Sequence, residues 1–309
     1  MMWSLLFNIL LILLSVLVLW GGAVWIVESA ARIARRLGLS DLVIGLTVVA
    51  IGTSSPEFAV TVGAALKGQG DISVGNVIGS NIFNLGFILG GVAMVRAIAT
   101  SRTMVMRDGG VLIAITLLLL LFFLDLHIAR WEGMILLALL VLYIGSLLYF
   151  REAIEDAPPG EFRWYEVPRL LIGLALVIGG GHFMVEAAVA LARMVGISEW
   201  AIGVTIVAAG TSAPEFATSL VAVLRGRHGI SAGNLIGSDI FNLLGVLGLA
   251  ATIRPMTVDP SVYSSLWMLA GMVALVVIFL MRTGWSLSRW EGALLVLINL
   301  IRWVLDFRS

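Results

Sequence analysis

Gly52-Thr53-Ser54-Ser55-Pro56-Glu57 sets a proline and an acid in the middle of an apolar stretch, and Gly210-Thr211-Ser212-Ala213-Pro214-Glu215 does so again 158 residues later. Pro56 removes one backbone donor and clashes with the preceding turn, so the helix should break there. The break is expected to leave backbone carbonyls near Ala50 without helical partners. In hydrocarbon such carbonyls are costly unless they line a site. A cation can use them. Thr53, Ser54, Thr211 and Ser212 add hydroxyl oxygens, and Glu57 and Glu215 add charge. Ser54-x-x-Glu57 also has the form of a capping box, in which Glu57 only caps the new helix start. Local capping does not account for a second copy of the same acid at the same depth.

The repetition extends well beyond these hexads. Gly21-Gly22-Ala23 through Asp41 matches Gly179-Gly180-Gly181 through Glu199 without a gap, and Gly75–Asn84 (G-N-V-I-G-S-N-I-F-N) matches Gly233–Asn242 (G-N-L-I-G-S-D-I-F-N). Arg130-Trp131-Glu132-Gly133 recurs at Arg289-Trp290-Glu291-Gly292, one residue out of register, and reads as a mark of where a helix begins.

The surroundings are those of a membrane. Of 309 residues, 60% are hydrophobic and 12% charged, and the mean hydropathy is +1.07. Soluble domains carry about 25% charged residues. This composition excludes a soluble enzyme, a disordered chain and a nucleic-acid binder with a basic face. The absence of cysteine excludes disulfides, thiolate metal sites and cysteine nucleophiles.

A bilayer core takes about 20 apolar residues per helix. Ten stretches qualify, at roughly 4–27, 41–66, 72–95, 109–125, 132–150, 168–191, 199–224, 230–253, 262–281 and 290–306. The first lacks a basic leader and is too long for a signal peptide, so it is expected to be a structural helix. The expected fold is therefore an all-α polytopic membrane protein of ten transmembrane helices. Residues 1–150 form the first five-helix repeat, 151–167 a linker and 168–309 the second repeat. Five is odd, so the second repeat should enter the membrane inverted. Of the 19 Lys and Arg residues, 13 fall on one side and 6 on the other. The richer side should be cytoplasmic, with the linker there and both termini outside, in a cell (inner) membrane.

The second motif supplies more oxygen. Ser80 and Asn84 lie one helical turn apart on one face, with Asn76 above them. Asn76 and Asn81 are also explained by hydrogen bonds between helices. The second copy offers Asn234, Ser238, Asp239 and Asn242, with Asp239 in the place of Asn81. A two-fold relation would bring Glu57 and Glu215 together. Two carboxylates in low dielectric repel, and a divalent cation removes that conflict. Oxygen ligands in a flexible shell suit calcium better than magnesium, and transition metals would want His or Cys. Two carboxylates also balance two sodium ions, which are close to calcium in size.

These motifs resemble those of the cation/calcium antiporter superfamily, specifically the prokaryotic sodium/calcium exchangers, over essentially the whole chain. The resemblance implies four clustered cation sites at the centres of the second, third, seventh and eighth helices. By matching positions it implies Ala50, Thr53, Ser54, Glu57, Ser80 and Asn84 in one copy, and Ala208, Thr211, Ser212, Glu215 and Ser238 in the other. It also implies sliding of the first and sixth helices past the rest. At one place this chain departs. Archaeal and potassium-dependent relatives often carry Asp at the last position of the second motif, where this chain has Asn242; its acid stands at Asp239 instead. Asp239 and Asn242 are retained as candidate ligands on the cost of a mid-span acid.

The expected function is sodium/calcium antiport by alternating access, with calcium and sodium as cargo, the bilayer as surroundings and no cofactor. A monomer suffices. The alternative is proton/calcium antiport on the same fold, driven through Glu57 or Glu215. A channel usually repeats about its pore axis, unlike an inverted repeat. A serine hydrolase would need a base beside Ser54 or Ser212, and no His or Lys is duplicated there. Glu28 and Glu186 read as interfacial acids paired with Arg32 and Arg193, and His182 as a packed or hydrogen-bonded residue.

Overall fold

The computed structural model describes residues 2–150, 162–196 and 208–306. Residues 151–161 of the expected linker and 199–207 of the expected seventh span lie outside the described residues. The described chain is almost entirely helical. Helix α1 covers Met2–Leu37. It ends where Gly38 takes φ 69° and its N–H turns back to Arg35 O, the left-handed stop that only glycine adopts cheaply. Ser40 then caps the next helix, accepting from Val43 N at 3.3 Å.

That next helix is broken. α2 (Asp41–Thr53) and α3 (Ser55–Leu66) meet at a 52° bend. α4 runs Gly70–Val95, α5 Arg102–Asp125, α6 Arg130–Tyr149 and α7 Glu166–Met194. A short α8 (Ala208–Thr211) and α9 (Ala213–Leu224) repeat the broken pair. α10 (His228–Ile253), α11 (Val262–Arg282) and α12 (Arg289–Asp306) complete the chain. Among the described residues, seven helices are long and apolar enough to cross a bilayer, and the α2–α3 pair makes an eighth. α9 has 12 residues, as α3 has, and the helix that would make it half of a broken span is described only from Ala208; α12 is diluted by Arg289, Glu291, Arg302 and Asp306.

Several helices carry a π-turn, among them α4 at Asn84–Ile88 and α10 at Phe241–Val246. These two lie at matching places in the repeat. A π-turn disturbs the regular ladder of carbonyls and is common at functional sites.

The two halves interlock. β1 (Ile98–Ala99) pairs antiparallel with β4 (Ser286–Leu287), and β2 (His127–Ile128) with β3 (Met256–Thr257). α12 packs on α4 and α6 on α10. A Cβ at Gly90 would stand 2.7 Å from Gly292 O, and one at Gly133 2.6 Å from Gly248 O. The glycine of each R-W-E-G is thus a helix-crossing point between halves. Its glutamate starts the helix: Glu132 accepts from Ala129 N at 2.7 Å and Glu291 from Ser288 N at 2.9 Å. α10 presents Gly233 and Gly237 to Leu42 and Leu46 of α2 at backbone distance, as a small-xxx-small face permits.

Candidate cation site

The breaks in α2–α3 and α8–α9 bring the two hexads face to face. Ser54 Oγ donates to Glu215 Oε1 at 2.9 Å, and Ser212 Oγ donates to Glu57 Oε1 at 3.0 Å. Thr53 and Thr211 stand one residue before these serines, at the ends of α2 and α8. Ser54, Glu57, Ser212 and Glu215 are all buried. Ser54 precedes α3 yet makes no capping bond with its side chain. The capping-box reading therefore fails: the hydroxyl is spent on the other copy's acid.

The expectation for Ala50 also needs correction. Ala50 O accepts from Ser54 N at 3.0 Å and from Thr53 Oγ1 at 3.4 Å. Pro56 deprives the carbonyl four residues back, which is Gly52, and Ser55 Oγ covers that one at 2.8 Å. Thr53 has one hydroxyl proton and a nearer acceptor in Asn234 Oδ1 at 3.0 Å, so the second lone pair of Ala50 O stays available. Ala208 opens α8, and its side chain lies outside the described residues.

The second motifs flank the acids. Asn76 Nδ2 donates to Thr61 Oγ1 at 2.9 Å and Glu57 O at 3.3 Å; Asn234 Nδ2 donates to Ser219 Oγ at 3.0 Å and Glu215 O at 3.4 Å. Asn234 Oδ1 also accepts from Thr53 Oγ1 at 3.0 Å. Ser80 Oγ donates to Asn76 O at 2.7 Å. Asn84 Nδ2 donates to Asp239 Oδ1 at 3.0 Å, and Asn242 Nδ2 to Asn81 Oδ1 at 3.2 Å. Asn81 Nδ2 reaches Asp239 O at 3.0 Å. Every expected ligand of described position thus lies on the four helices α2–α3, α4, α8–α9 and α10.

What these bonds leave over is the chemical signal. Glu57 Oε2, Glu215 Oε2, Asp239 Oδ2, Asn84 Oδ1, Asn242 Oδ1 and Ser238 Oγ are buried without a hydrogen-bond partner. All six are oxygens. A buried acceptor without a donor is costly, and a cation coordinated by oxygen meets all of them. Among the described residues, no Lys, Arg or His forms an ion pair with Glu57, Glu215 or Asp239. Among the described residues no group of three His, Cys, Asp or Glu is close enough to hold a metal ion by those side chains alone. Hydroxyl, amide and main-chain oxygens must therefore complete any shell.

Residues 7–149 and 167–304 match the model of the sodium/calcium exchanger protein family. The chain belongs to the sodium/calcium exchanger family. Within it, the putative antiporter CaxA of Alkalimonas amylolytica is 37% identical over 91% of this chain and 92% of its own. The sodium/calcium exchanger MaX1 of Methanosarcina acetivorans is 31% identical, covering 94% and 95%. The solved structure of the sodium-calcium exchanger NCX_Mj superposes with a TM-score of 0.84 at 30% identity, over 96% of this chain and 98% of that one.

Two acids set aside in the sequence are engaged elsewhere. Glu28 binds Arg169 at 2.7 Å, Arg32 at 3.9 Å, and Arg225. The long-range partners carry no local sequence signal. Glu186 pairs with His182 at 3.4 Å on an exposed face of α7, so of the two readings of His182, packed or polar-bonded, the contact fits the second.

Proposed function

We propose that this family member is a secondary-active antiporter that exchanges sodium for calcium by alternating access. Its ten spans form two inverted five-helix repeats, with the cation site at the midplane between them. The ligands are Ala50 O, Thr53, Ser54, Glu57, Ser80 and Asn84 from one repeat, and Ala208, Thr211, Ser212, Glu215, Ser238, Asp239 and Asn242 from the other. It resides in the inner membrane, with both termini outside and the linker cytoplasmic. Calcium and sodium are its partners, without a cofactor.

The observation that carries this reading is the set of six unpartnered buried oxygens around Glu57 and Glu215. Hydroxyls already bond one oxygen of each glutamate, which leaves the second oxygen of each for a cation. Support for inversion comes from the exchange of partners between copies: Ser54–Glu215 answers Ser212–Glu57, and Asn84–Asp239 answers Asn242–Asn81. Inverted repeats commonly carry the site at their interface and rock one bundle against the other.

Calcium uptake into proteoliposomes under an outward sodium gradient tests it. Uptake is expected with sodium and not with potassium. Uptake driven by a proton gradient alone would replace this reading with proton/calcium exchange.

A further inference from the structure

The contacts fall into two symmetric blocks that are seated asymmetrically on one another. One block is the bundle around the site. Arg96 donates to Leu224 O at 3.2 Å, closing the end of α9, and Arg254 donates to Leu66 O at 3.1 Å, closing the end of α3. The other block is the α1–α7 pair. Gly22 lies against Gly173 and Val177, and its counterpart Gly180 lies against Ser15 and Leu19. Each relation maps onto the other by the repeat.

The seating does not. α1 packs along α9, whereas α7 shares no comparable interface with α3. Val60 on α3 is 39% exposed, while its counterpart Thr218 on α9 is fully buried. Charged residues stand where the asymmetry is read out. Glu28 of α1 is ion-paired to Arg225, the residue that ends α9. Their repeat counterparts are Glu186 of α7 and Lys67, which ends α3. Lys67 is exposed and has no ion-pair partner among the described residues. Glu186 rests on His182 of its own helix, whose counterpart in α1 is Val24.

We infer that Glu186 and Lys67 form a second latch, closed only when the Glu28–Arg225 pair is open. In the sliding of these two helices that the family resemblance implies, each end position is then marked by one ion pair between the two blocks. His182 holds Glu186 while its latch is open. Both pairs are partly exposed, and such pairs are weak. They can fix an end position without trapping it, which a two-position element requires. The inference rests on the exchange reading above, since it takes the unobserved position from the repeat.

The chain has no cysteine, so paired cysteines can be introduced in the full-length protein without background. Glu28→Cys/Arg225→Cys and Glu186→Cys/Lys67→Cys are reconstituted in proteoliposomes and treated with a short thiol–thiol cross-linker. Both pairs are expected to cross-link, each cross-link to stop calcium flux and reduction to restore it. In a protein carrying all four substitutions, the two cross-links should not occur in the same molecule. Failure of the Glu186→Cys/Lys67→Cys pair to cross-link in protein that moves calcium before treatment overturns the latch. So does formation of both cross-links together. If the cross-links behave as expected while uptake follows protons rather than sodium, the latch stands and the sodium reading falls. A second route keeps the native fold of each end: Glu186→Lys should lower turnover by up to about fivefold with calcium half-saturation unchanged. Adding Lys67→Glu should restore turnover, and absence of rescue overturns the proposal.

Discussion

Ser54 Oγ donates its hydrogen bond to Glu215 Oε1, an acid of the other copy, rather than to any group in its own hexad. Ser212 does the same for Glu57. The two bonds hold one oxygen of each glutamate and turn the other inward. Hydrogen bonds to charged groups contribute about 1.5–3 kcal/mol. Ser54→Ala and Ser212→Ala should each raise the calcium half-saturation concentration about tenfold or more, and by similar factors. Flux measured against calcium concentration decides this. An effect confined to one serine would break the equivalence of the two copies.

Glu57→Gln and Glu215→Gln keep shape and remove charge. Either should abolish sodium-driven calcium uptake while the protein still elutes as a folded species in detergent. Glutamine also brings a donor into a site whose unpartnered atoms are all oxygens. Full activity in either variant would remove that glutamate from the ligand set.

Asp239 has one oxygen bonded to Asn84 and one without a partner. Asp239→Asn can retain the first contact, as Asn81 does for Asn242, and loses the anionic ligand. The expected outcome is weaker calcium uptake and a changed dependence on sodium. Unchanged transport and ion dependence would show that this acid is not a ligand.

Gly237 meets Leu46 with backbone against backbone; a Cβ would lie 2.7 Å from Leu46 Cα. Overpacking of this kind costs about 1–3 kcal/mol. Gly237→Ala should lower the thermal midpoint by several degrees. Gly145→Ala, where a Cβ meets nothing within 4 Å, should leave it unchanged or raise it, since alanine favours helix. Thermal unfolding of the two purified variants gives the comparison.

The hexads and the second motifs were legible because proline, acid and amide are rare in an apolar run and here recur at one spacing. Which copy's hydroxyl serves which copy's acid was not legible, since that choice depends on packing across 161 residues. Proline marks the carbonyl four residues back, Gly52 O, two residues on from Ala50, but the sequence does not show that Ser55 Oγ covers it. The R-W-E-G glycines looked like punctuation, and their closeness to Gly90 and Gly248 follows from a partner helix that periodicity does not identify. Glu28 was read against its near neighbour Arg32, while its shorter contact is with Arg169.

The two-residue strands bear on how the chain is made. Ile98 finds its partner in Leu287, and His127 in Thr257. Neither half can complete a ribbon from its own residues. During synthesis β1 and β2 emerge unmatched, because both partner strands lie more than 120 residues further along the chain. Contacts this remote in sequence form late. The two ribbons close in turn, β2 once Met256–Thr257 is made and β1 only with Ser286–Leu287, so a chain truncated before Ser286 would leave β1 without its partner strand.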